Sequence, residues 1–422
     1  METKFPTPAR LGHTLAARAR VGTGRMSMSV PLEGAGGNAC ASRVWKGNAR
    51  QGCCLPAFIC KSTSRWSFVG GRSRTASCRQ NRKANDERQS TTDVLLTDKF
   101  GRSIHDLRIS ITDRCNYRCV YCRTGTNGAA YAELPFDDYL RMVRILVGLG
   151  ITKVRLTGGE PLLRKGIVDF VRELSKLRTH TGAKLDIAMT TNGHLLAEIA
   201  QPLKNAGLDR VTVSMDAVDP ELFARITRVP NGFQSVLAGV RASRSAGLDP
   251  VKVNCVLLRG FNEEQIIPFG KFAREEGVVV RFIEFMPLEE GRVWTPEIVV
   301  TLDEIVARMS KYMPLTEIAH ERSETARRYT FEDGVGEIGI IAPVSHPFCG
   351  HCSRIRLTSD GKIRTCLFSV WDHDLYELMR RGASDEKLAE FIVGVVEKKE
   401  ARHHIGEPGF VPASRTMVHI GG

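Results

Sequence analysis

The feature that most constrains the fold is a regular alternation of short β-rich runs with amphipathic helical stretches between about residues 105 and 285. An alternating βα order predicts a parallel sheet with helices packed on it. Six β-rich runs are present, and the sequence beyond residue 290 does not supply the two further units of a closed eight-unit barrel. We therefore predict an α/β fold built as a partial (βα)6 TIM-like barrel. The predicted strands cover residues 107–111, 153–157, 185–190, 210–214, 251–258 and 278–285.

The chain divides into three predicted parts. Residues 1–90 form a leader, residues 91–290 form the barrel, and residues 291–422 form a smaller α+β C-terminal domain that closes one side of it. The C-terminal part begins with a helical segment, continues with short strands and a group of cysteines, and ends with a helix near residues 384–400. The change from regular βα units to this mixed pattern sets the boundary.

The positive charge of the chain is concentrated in the leader. The first 90 residues hold 16 of the 60 Lys and Arg but only four of the 47 Asp and Glu, so the remainder is almost neutral. An acid-poor segment rich in Arg, Ser, Gly and Ala is typical of an organelle transit peptide. A basic arm that binds RNA or DNA is the alternative, although no nucleic-acid module accompanies it. We expect no nucleic-acid partner and, because no long apolar run occurs, no membrane span.

Three cysteines, Cys115, Cys119 and Cys122, follow the first predicted strand. The loop at the C-terminal end of a barrel strand is where such folds place ligands. Three thiolates can hold a [4Fe–4S] cluster and leave one iron without a protein ligand, whereas such clusters usually take four cysteines. A structural zinc site is the alternative, but no fourth Cys or His stands at suitable spacing. We therefore predict an iron–sulfur cluster with an open coordination site.

This CxxxCxxC pattern, with the aromatic Tyr121 before its last cysteine, resembles the radical S-adenosylmethionine superfamily. Residues 157–161 have the sequence TGGEP at the end of the second strand, which is similar to the superfamily's GGEP motif. The resemblance implies that S-adenosylmethionine (SAM) chelates the open iron and is cleaved to a 5′-deoxyadenosyl radical. It also implies that the glycine backbone lets the methionyl amino group approach closely.

A second group of three cysteines, Cys349, Cys352 and Cys366, lies in the predicted C-terminal domain. The segment between the last two alternates around an Asp-Gly pair, which predicts a β-hairpin that brings Cys366 back towards Cys352. The hairpin also places Arg354 and Arg356 on one face of a strand. Paired guanidinium groups suit a triphosphate, which accepts forked, charge-assisted hydrogen bonds. We expect the second group to hold a second open [4Fe–4S] cluster.

This arrangement closely resembles the GTP 3′,8-cyclase family, which performs the first step of molybdenum cofactor biosynthesis. The resemblance covers about residues 92–422 and implies that guanine binds the open iron of the second cluster. The GTP contacts that it implies are Arg108, Arg155, Thr190, Lys252, Arg354, Ile355 and Arg356. The SAM contacts that it implies are Tyr121, Gly159, Ser214 and Met286. The final Gly421 and Gly422 match a terminal pair of the family that is expected to enter the active site and act in catalysis.

The family resemblance also implies the reaction and the partners. The radical takes hydrogen from C3′ of the GTP ribose, the carbon radical attacks C8 of guanine, and reduction with protonation yields 3′,8-cyclo-7,8-dihydro-GTP. Family members are similar in forming homodimers, and the product passes to cyclic pyranopterin monophosphate synthase. The sequence does not fix the electron donor. With its leader, the chain resembles an organelle-imported eukaryotic version, and Arg richness together with the site of iron–sulfur supply favours the mitochondrial matrix over the plastid.

Two other functions fit part of the sequence. A radical SAM enzyme with an auxiliary cluster that modifies a peptide keeps the same initial chemistry, but such enzymes commonly carry more C-terminal cysteines. A zinc-bearing RNA-binding protein that uses the leader as a basic arm would not be an enzyme. Metal analysis separates this last function from the other two.

Overall fold

The structure of the chain, a computed structural model, describes residues 95–122, 130–289 and 291–420. The predicted leader and the terminal Gly421 and Gly422 lie outside the described residues, so what is expected of them stays a prediction. No helix in the described ranges is long and apolar enough to cross a membrane.

Six consecutive parallel strands form the middle of the sheet, as the alternating sequence predicts. Each strand pairs with the next along the chain. The end of every strand lies within one residue of the predicted end. The strands are β1 (Asp106–Ser110), β2 (Lys153–Thr157), β3 (Asp186–Thr191), β4 (Arg210–Ser214), β5 (Lys252–Leu257) and β6 (Val279–Glu284).

Helices connect these strands and cover the outer face of the sheet. In the second helix, Ile167, Phe170, Val171 and Leu174 recur at helical spacing, form a single stripe and are all buried. Burial of this apolar stripe against the sheet is what stabilises each helix. The helices are α1 (Phe136–Gly148), α2 (Ile167–Lys176), α3 (Leu196–Ala206), α4 (Pro220–Thr227), α5 (Gly232–Ser245) and α6 (Ile266–Glu275).

The strands of this series are apolar on one face and polar on the other. In β1, Leu107 and Ile109 are buried, whereas Asp106 and Arg108 occupy the opposite face. Since side chains alternate along a strand, the polar positions of paired parallel strands share one side of the sheet. This side lines the cavities of the candidate site, so the interior of the partial barrel is polar.

The residues after β6 extend the same sheet at both edges. They form α7 (Leu302–Tyr312), β7 (Leu315–Ile318), β8 (Ala326–Phe331), β9 (Glu337–Ile341), β10 (Arg354–Leu357), β11 (Lys362–Arg364), β12 (His373–Asp374), α8 (Leu375–Arg380), α9 (Asp385–Val396) and α10 (Met417–Ile420). β10 lies parallel beside β1, and β9 lies parallel beside β6. The strands form one sheet in the order β12-β11-β10-β1-β2-β3-β4-β5-β6-β9-β8-β7. The domain boundary at residue 290 stays a prediction, because strands from both sides of it share this sheet.

The predicted hairpin of the second cysteine group is confirmed. β10 and β11 pair antiparallel, with Arg356 opposite Arg364. Gly361 in the turn has φ +78°, a conformation that L side chains rarely adopt. Because the hairpin reverses the chain, Cys352, which precedes β10, and Cys366, which follows β11, lie at the same end of it.

Candidate active site

The first cysteine group lies on the loop that follows β1. The thiols of Cys115, Cys119 and Cys122 line one cavity at the C-terminal ends of the strands. The four predicted SAM contacts Tyr121, Gly159, Ser214 and Met286 line the same cavity. No lysine or arginine among the described residues lines it. The loop and the strand ends therefore build a pocket around the three thiols to which the described residues contribute no cationic side chain.

Two donors face the sulfur of Cys115. The backbone N–H of Tyr117 lies 3.4 Å from Sγ, and Nδ2 of Asn192 lies 3.9 Å from it. The hydroxyl of Tyr117 in turn lies 3.0 Å from Nδ1 of His194. Hydrogen bonds to a ligating sulfur orient the ligand and tune a cluster's reduction potential. Sequence analysis missed Asn192, whose position directly after β3 was the available signal.

A buried carboxylate fixes Tyr121. The Tyr121 hydroxyl donates to Oδ2 of Asp216 at 2.7 Å, and Oδ1 accepts from the Val256 N–H at 2.8 Å. Burial raises the pKa of Asp216 to about 6, although both hydrogen bonds act in the opposite direction. Asp216 also lines the cavity. Sequence analysis missed this residue, which follows the strand end that carries Ser214.

The GGEP segment ties the cysteine loop to β3. Glu160 accepts from the Thr191 hydroxyl at 2.7 Å and from the Asn192 N–H at 2.7 Å. Burial raises the pKa of Glu160 to about 7, while these hydrogen bonds act to lower it. A Cβ at Gly159 would overlap the carbonyl oxygen of Arg114. Glycine is therefore required here for the close approach of the cysteine loop, and its predicted role towards SAM stays a prediction.

The second cysteine group surrounds a cavity beside the β10–β11 hairpin. Cys349, Cys352 and Cys366 are free thiols, and all three line this cavity. Arg354 and Arg356 line it as well. The hairpin thus brings Cys366 into the same pocket as Cys352, as the sequence predicts.

Cations stand close to these thiols. The Lys399 ammonium, only 2% exposed, donates to the carbonyl oxygen of Arg354 at 2.9 Å and to that of Thr365. Burial alone would raise the pKa of Cys352, but the charges of Arg354 and Lys399 outweigh it and lower that pKa to about 7. The thiolate is the form that ligates metal, so this environment favours ligation. Sequence analysis missed Lys399.

A third cavity, on the inner side of the sheet, is lined by basic side chains. Arg155 and Arg281 donate to neutral groups there, to Thr212 Oγ1 at 3.2 Å and to Asn254 Oδ1 at 2.9 Å. Sequence analysis missed Arg281, although it is the one basic side chain in the β6 run. The basic residues of this cavity are Arg108, Lys153, Arg155, Arg210, Lys252, Arg281, Arg328 and Arg354.

The charges of this basic cavity are only partly neutralised. Eight lysines and arginines and five acidic residues of the described chain line it, and three of the eight cations form ion pairs with these acids. Arg210 is paired with Asp186 at 2.6 Å. Nε of Arg108, by contrast, is buried and has no hydrogen-bond partner among the described residues. Burial, followed by repulsion from Arg281 and Arg155, lowers the pKa of Lys252 to about 8. Crowded cations of this kind are stabilised by a polyanion, and a triphosphate supplies forked acceptors for them.

The three cavities adjoin one another inside the barrel. Arg108 and Arg354 line both the basic cavity and the second cysteine cavity. Thr190 and Asn254 line both the basic cavity and the first cysteine cavity. Met286 lies between the two cysteine cavities and lines both. A single molecule in the basic cavity can therefore reach the surroundings of both cysteine groups.

Comparison with known proteins identifies the family. Residues 109–273 match the radical SAM superfamily, and residues 278–405 match the family Molybdenum Cofactor Synthesis C. The GTP 3′,8-cyclase of Corynebacterium glutamicum is 43% identical over 339 residues, which cover 78% of this chain and 89% of that protein. The chain belongs to the GTP 3′,8-cyclase family. The GTP 3′,8-cyclase of Heliobacterium modesticaldum is 42% identical over 332 residues and is covered over 100% of its length.

A solved structure supports the fold. Streptococcus suis SuiB bound to S-adenosylmethionine superposes with a TM-score of 0.51 at 15% identity, covering 73% of this chain and 69% of that one. At this identity the likeness establishes only the fold. It confirms the predicted α/β architecture of a partial barrel that is followed by a further region.

The thiol groups fit the clusters that the family implies. Each group brings three thiols to one cavity. No three His, Cys, Asp or Glu side chains in the described part of the chain converge closely enough for a single metal ion. A cubane holds its thiolates farther apart than one ion does, because each thiolate binds a different iron. These donor sets suit an iron–sulfur cluster better than a structural zinc ion.

Most of the predicted site residues line the three cavities, with three exceptions. Ile355 lies on β10 between Arg354 and Arg356, so its side chain points to the opposite face, where it is 1% exposed. A side-chain contact between Ile355 and GTP is therefore not supported. Gly421 and Gly422 lie outside the described residues, and their catalytic role stays a prediction.

Proposed function

We propose that this protein converts GTP into 3′,8-cyclo-7,8-dihydro-GTP with SAM and two [4Fe–4S] clusters, as the first step of molybdenum cofactor biosynthesis. One observation carries the proposal: a cavity lined by eight basic side chains, which nearby acids neutralise only in part, adjoins two pockets that each hold three thiols. The cationic cavity suits the triphosphate, and the pockets place a cluster on either side of the nucleotide. The same chemistry on a peptide is not favoured, since the relatives at 42–43% identity are GTP 3′,8-cyclases.

The first pocket would hold the radical-generating group. Cys115, Cys119 and Cys122 would ligate the first cluster and leave one iron open to SAM. When bound, the cluster and SAM together supply the 5′-deoxyadenosyl radical. The protein contributes binding and orientation, with Tyr121 held in place by Asp216 and with Ser214 at the end of β4. The lack of lysine and arginine among the described residues of this pocket also suits the positive sulfonium of SAM.

The basic cavity and the second pocket would hold the substrate. Arg108, Arg155 and Lys252 would bind the triphosphate, with Thr190 as a neutral donor. The guanine base would reach the second cluster, whose ligands would be the second cysteine group. Arg354 lines both cavities and would therefore contact the nucleotide near its middle. Such fixed positioning brings C3′ within reach of the radical.

The C-terminal segment would exclude water and complete the site. Met417 and Val418 line the first pocket, and the carbonyl oxygen of Ile420 accepts from Arg356 at 3.2 Å. Ile420 packs in an apolar cluster with Leu288 and Phe368. We propose that Gly421 and Gly422 act in catalysis, because they directly follow this segment in the sequence. Water exclusion matters because a primary carbon radical is readily quenched by side reactions.

A reconstitution experiment tests this function. The full chain, reconstituted anaerobically, should contain about eight irons and eight sulfides, as two [4Fe–4S] clusters require. With GTP, SAM and a reductant it should yield 5′-deoxyadenosine and a cyclised nucleotide in equal amounts. An absence of 5′-deoxyadenosine would refute radical chemistry, and 5′-deoxyadenosine with unchanged GTP would refute only the substrate. Stoichiometric zinc without iron would favour the RNA-binding alternative.

We further propose that the chain acts as a homodimer in the mitochondrial matrix and passes its product to cyclic pyranopterin monophosphate synthase. The Arg-rich, acid-poor composition of residues 1–90 supports the location. A reporter protein fused behind these residues should enter mitochondria, and entry into plastids instead would refute the choice of organelle. Light scattering of the reconstituted protein should give a dimer mass. Added synthase should consume the cyclised nucleotide.

A further inference from the structure

Lys399 is a buried lysine beside the second cysteine group. It follows α9, and 2% of its surface is exposed. Its ammonium donates to the carbonyl oxygen of Arg354, which precedes the hairpin turn, and to that of Thr365, which follows it. Lys399 lines the cavity together with all three thiols of the second group. The ammonium is therefore held at the base of the hairpin, on the side where the thiols converge.

This ammonium has no acidic partner. Among the residues that the structure describes, no carboxylate forms an ion pair with Lys399, whose partners are two carbonyl oxygens. The neighbouring carboxylate of Glu400 accepts from the Thr365 hydroxyl at 2.6 Å instead. A buried ammonium is strongly destabilising unless an opposite charge stands close to it. A negatively charged group bound in this cavity would therefore stabilise the folded protein.

A second buried cation near the same cysteine group, Arg102, differs from Lys399 in having an acidic partner. Arg102 is 8% exposed and donates to the carbonyl oxygen of Cys349 at 2.8 Å. Its charge is neutralised within the protein, because it pairs with Asp98 at 2.5 Å. Arg102 thus supports the cysteine loop without adding net charge, whereas Lys399 forms no ion pair with a carboxylate of the described residues.

A cluster on the second cysteine group would supply the missing negative charge. Three thiolates outweigh the positive charge of an oxidised cubane, and one-electron reduction adds a further negative charge. A fixed positive charge nearby stabilises the reduced form more than the oxidised form. On the basis of the proposed function, we propose that Lys399 is the resident counter-charge of the second cluster and raises its reduction potential.

This role is distinct from binding of the triphosphate. Lys399 lines the second cysteine cavity but not the basic cavity, where the triphosphate is proposed to bind. No lysine or arginine of the described chain lines the first cysteine cavity. The two clusters should therefore differ in potential, with the second the easier to reduce, and Lys399 should account for part of the difference.

The test is a redox titration monitored by EPR on the anaerobically reconstituted full chain without GTP. Lys399→Gln keeps a hydrogen-bond donor but removes the charge, and Lys399→Arg keeps the charge. The exposed neighbour Lys398 provides the matched control, Lys398→Gln. We expect Lys399→Gln to lower the reduction equilibrium constant of the second cluster about tenfold, a negative shift of ~59 mV for one electron. The first cluster, recorded in the same sample, should not shift.

Each outcome decides the proposal. An unchanged potential in Lys399→Gln with full iron content would overturn it, as would an equal shift in Lys398→Gln. If Lys399→Gln loses the second cluster while Lys399→Arg retains it, the charge is needed to keep the cluster, and the counter-charge role stands. If Lys399→Arg loses the cluster as well, side-chain shape is decisive and the role is overturned. Failure of the proposed function looks different, since the unmutated chain would then form no cyclised nucleotide from GTP, whatever the potential of its second cluster.

Discussion

The two cysteine groups present the same set of three thiols in opposite electrostatic surroundings. The first group shares its cavity with Asp216 and with no lysine or arginine of the described residues. The second group shares its cavity with Arg108, Arg354, Arg356 and Lys399. A cationic sulfonium is favoured in the first environment and an anionic nucleotide in the second. The thiols thus specify a cluster in both places, and the charges around them specify which molecule meets it.

Serine substitutions in the two groups should give the most strongly contrasting results. Cys119→Ser should abolish 5′-deoxyadenosine formation, because the first cluster cannot then bind SAM. Cys352→Ser should leave 5′-deoxyadenosine formation measurable but abolish the cyclised nucleotide, because only the position of the substrate is lost. Both products are quantified in one chromatographic assay, with iron content as the control for each variant. Equal loss of 5′-deoxyadenosine in both variants would contradict the division of roles.

The C-terminal segment links the two regions, and Arg415 anchors it. Arg415 is 4% exposed and contacts Asp360 at 2.8 and 2.9 Å and Asp372 at 2.6 Å. Arg415→Met leaves two carboxylates without this partner, so we expect a loss of about 3 kcal/mol in unfolding free energy. Product formed per 5′-deoxyadenosine should also fall, because the segment then covers the site less well.

The control for this variant is Arg402→Met. Arg402 pairs with Glu407 at 2.7 Å, and its side chain is 52% exposed. Exposed ion pairs contribute little, so neither the stability nor the product ratio should change measurably. A product ratio that stays normal in Arg415→Met would show that this anchor does not serve catalysis.

The basic cavity predicts that GTP binding depends on pH. Lys252 has a pKa of about 8, lowered first by burial and then by the charges of Arg281 and Arg155. A bound triphosphate raises this pKa again, so above pH 8 binding must take up a proton. GTP affinity should therefore be constant below about pH 7.5 and fall roughly tenfold between pH 8 and pH 9.5. Calorimetric titration with GTP at several pH values across this range measures the affinity.

Lys252→Arg is the matched control, because arginine stays protonated throughout this range. The variant should bind GTP with a weaker dependence on pH. An affinity that falls as steeply in the variant as in the unmutated chain would assign the proton to another group.

The smallest effect is expected in the cavity of the first cysteine group. Tyr121→Phe removes the hydrogen bond to Asp216 but keeps the ring in the pocket. A hydrogen bond of this kind contributes about 1 kcal/mol, so the KM for SAM should rise about fivefold with little change in kcat. Steady-state kinetics at saturating GTP measures both constants. A large fall in kcat would give the hydroxyl a more direct part in the chemistry.

Local pattern was enough to predict the six parallel strands and the β10–β11 hairpin. Strand alternation and the turn at Gly361 are encoded within a few neighbouring residues, and their boundaries agree with the structure to within one residue. Motif spacing likewise placed both cysteine groups on loops next to strands. These features depend on residues that are close together in the sequence, which is why the sequence alone could predict them.

Contacts between distant segments could not be predicted in this way. The sequence predicted a smaller C-terminal domain that closes one side of the barrel, but it did not predict that β9 and β10 of this part join the two edges of the barrel sheet. Asp216 and Lys399 carry no motif, and their roles depend on partners far away in the chain, Tyr121 and Arg354. Ile355 was included because the family resemblance implied the whole stretch from Arg354 to Arg356, whereas strand alternation turns its side chain to the opposite face.

The pairing of β10 with β1 determines where this sequence can change length. Arg356 lies in register with Arg108, and Leu357 with Ile109. A slip of one residue would exchange the two faces of β10 and bury its arginines in the apolar layer. An insertion between β6 and β7 leaves that register untouched. We therefore expect relatives to differ in length between these two strands, while the number of residues from Cys352 to Arg356 stays constant.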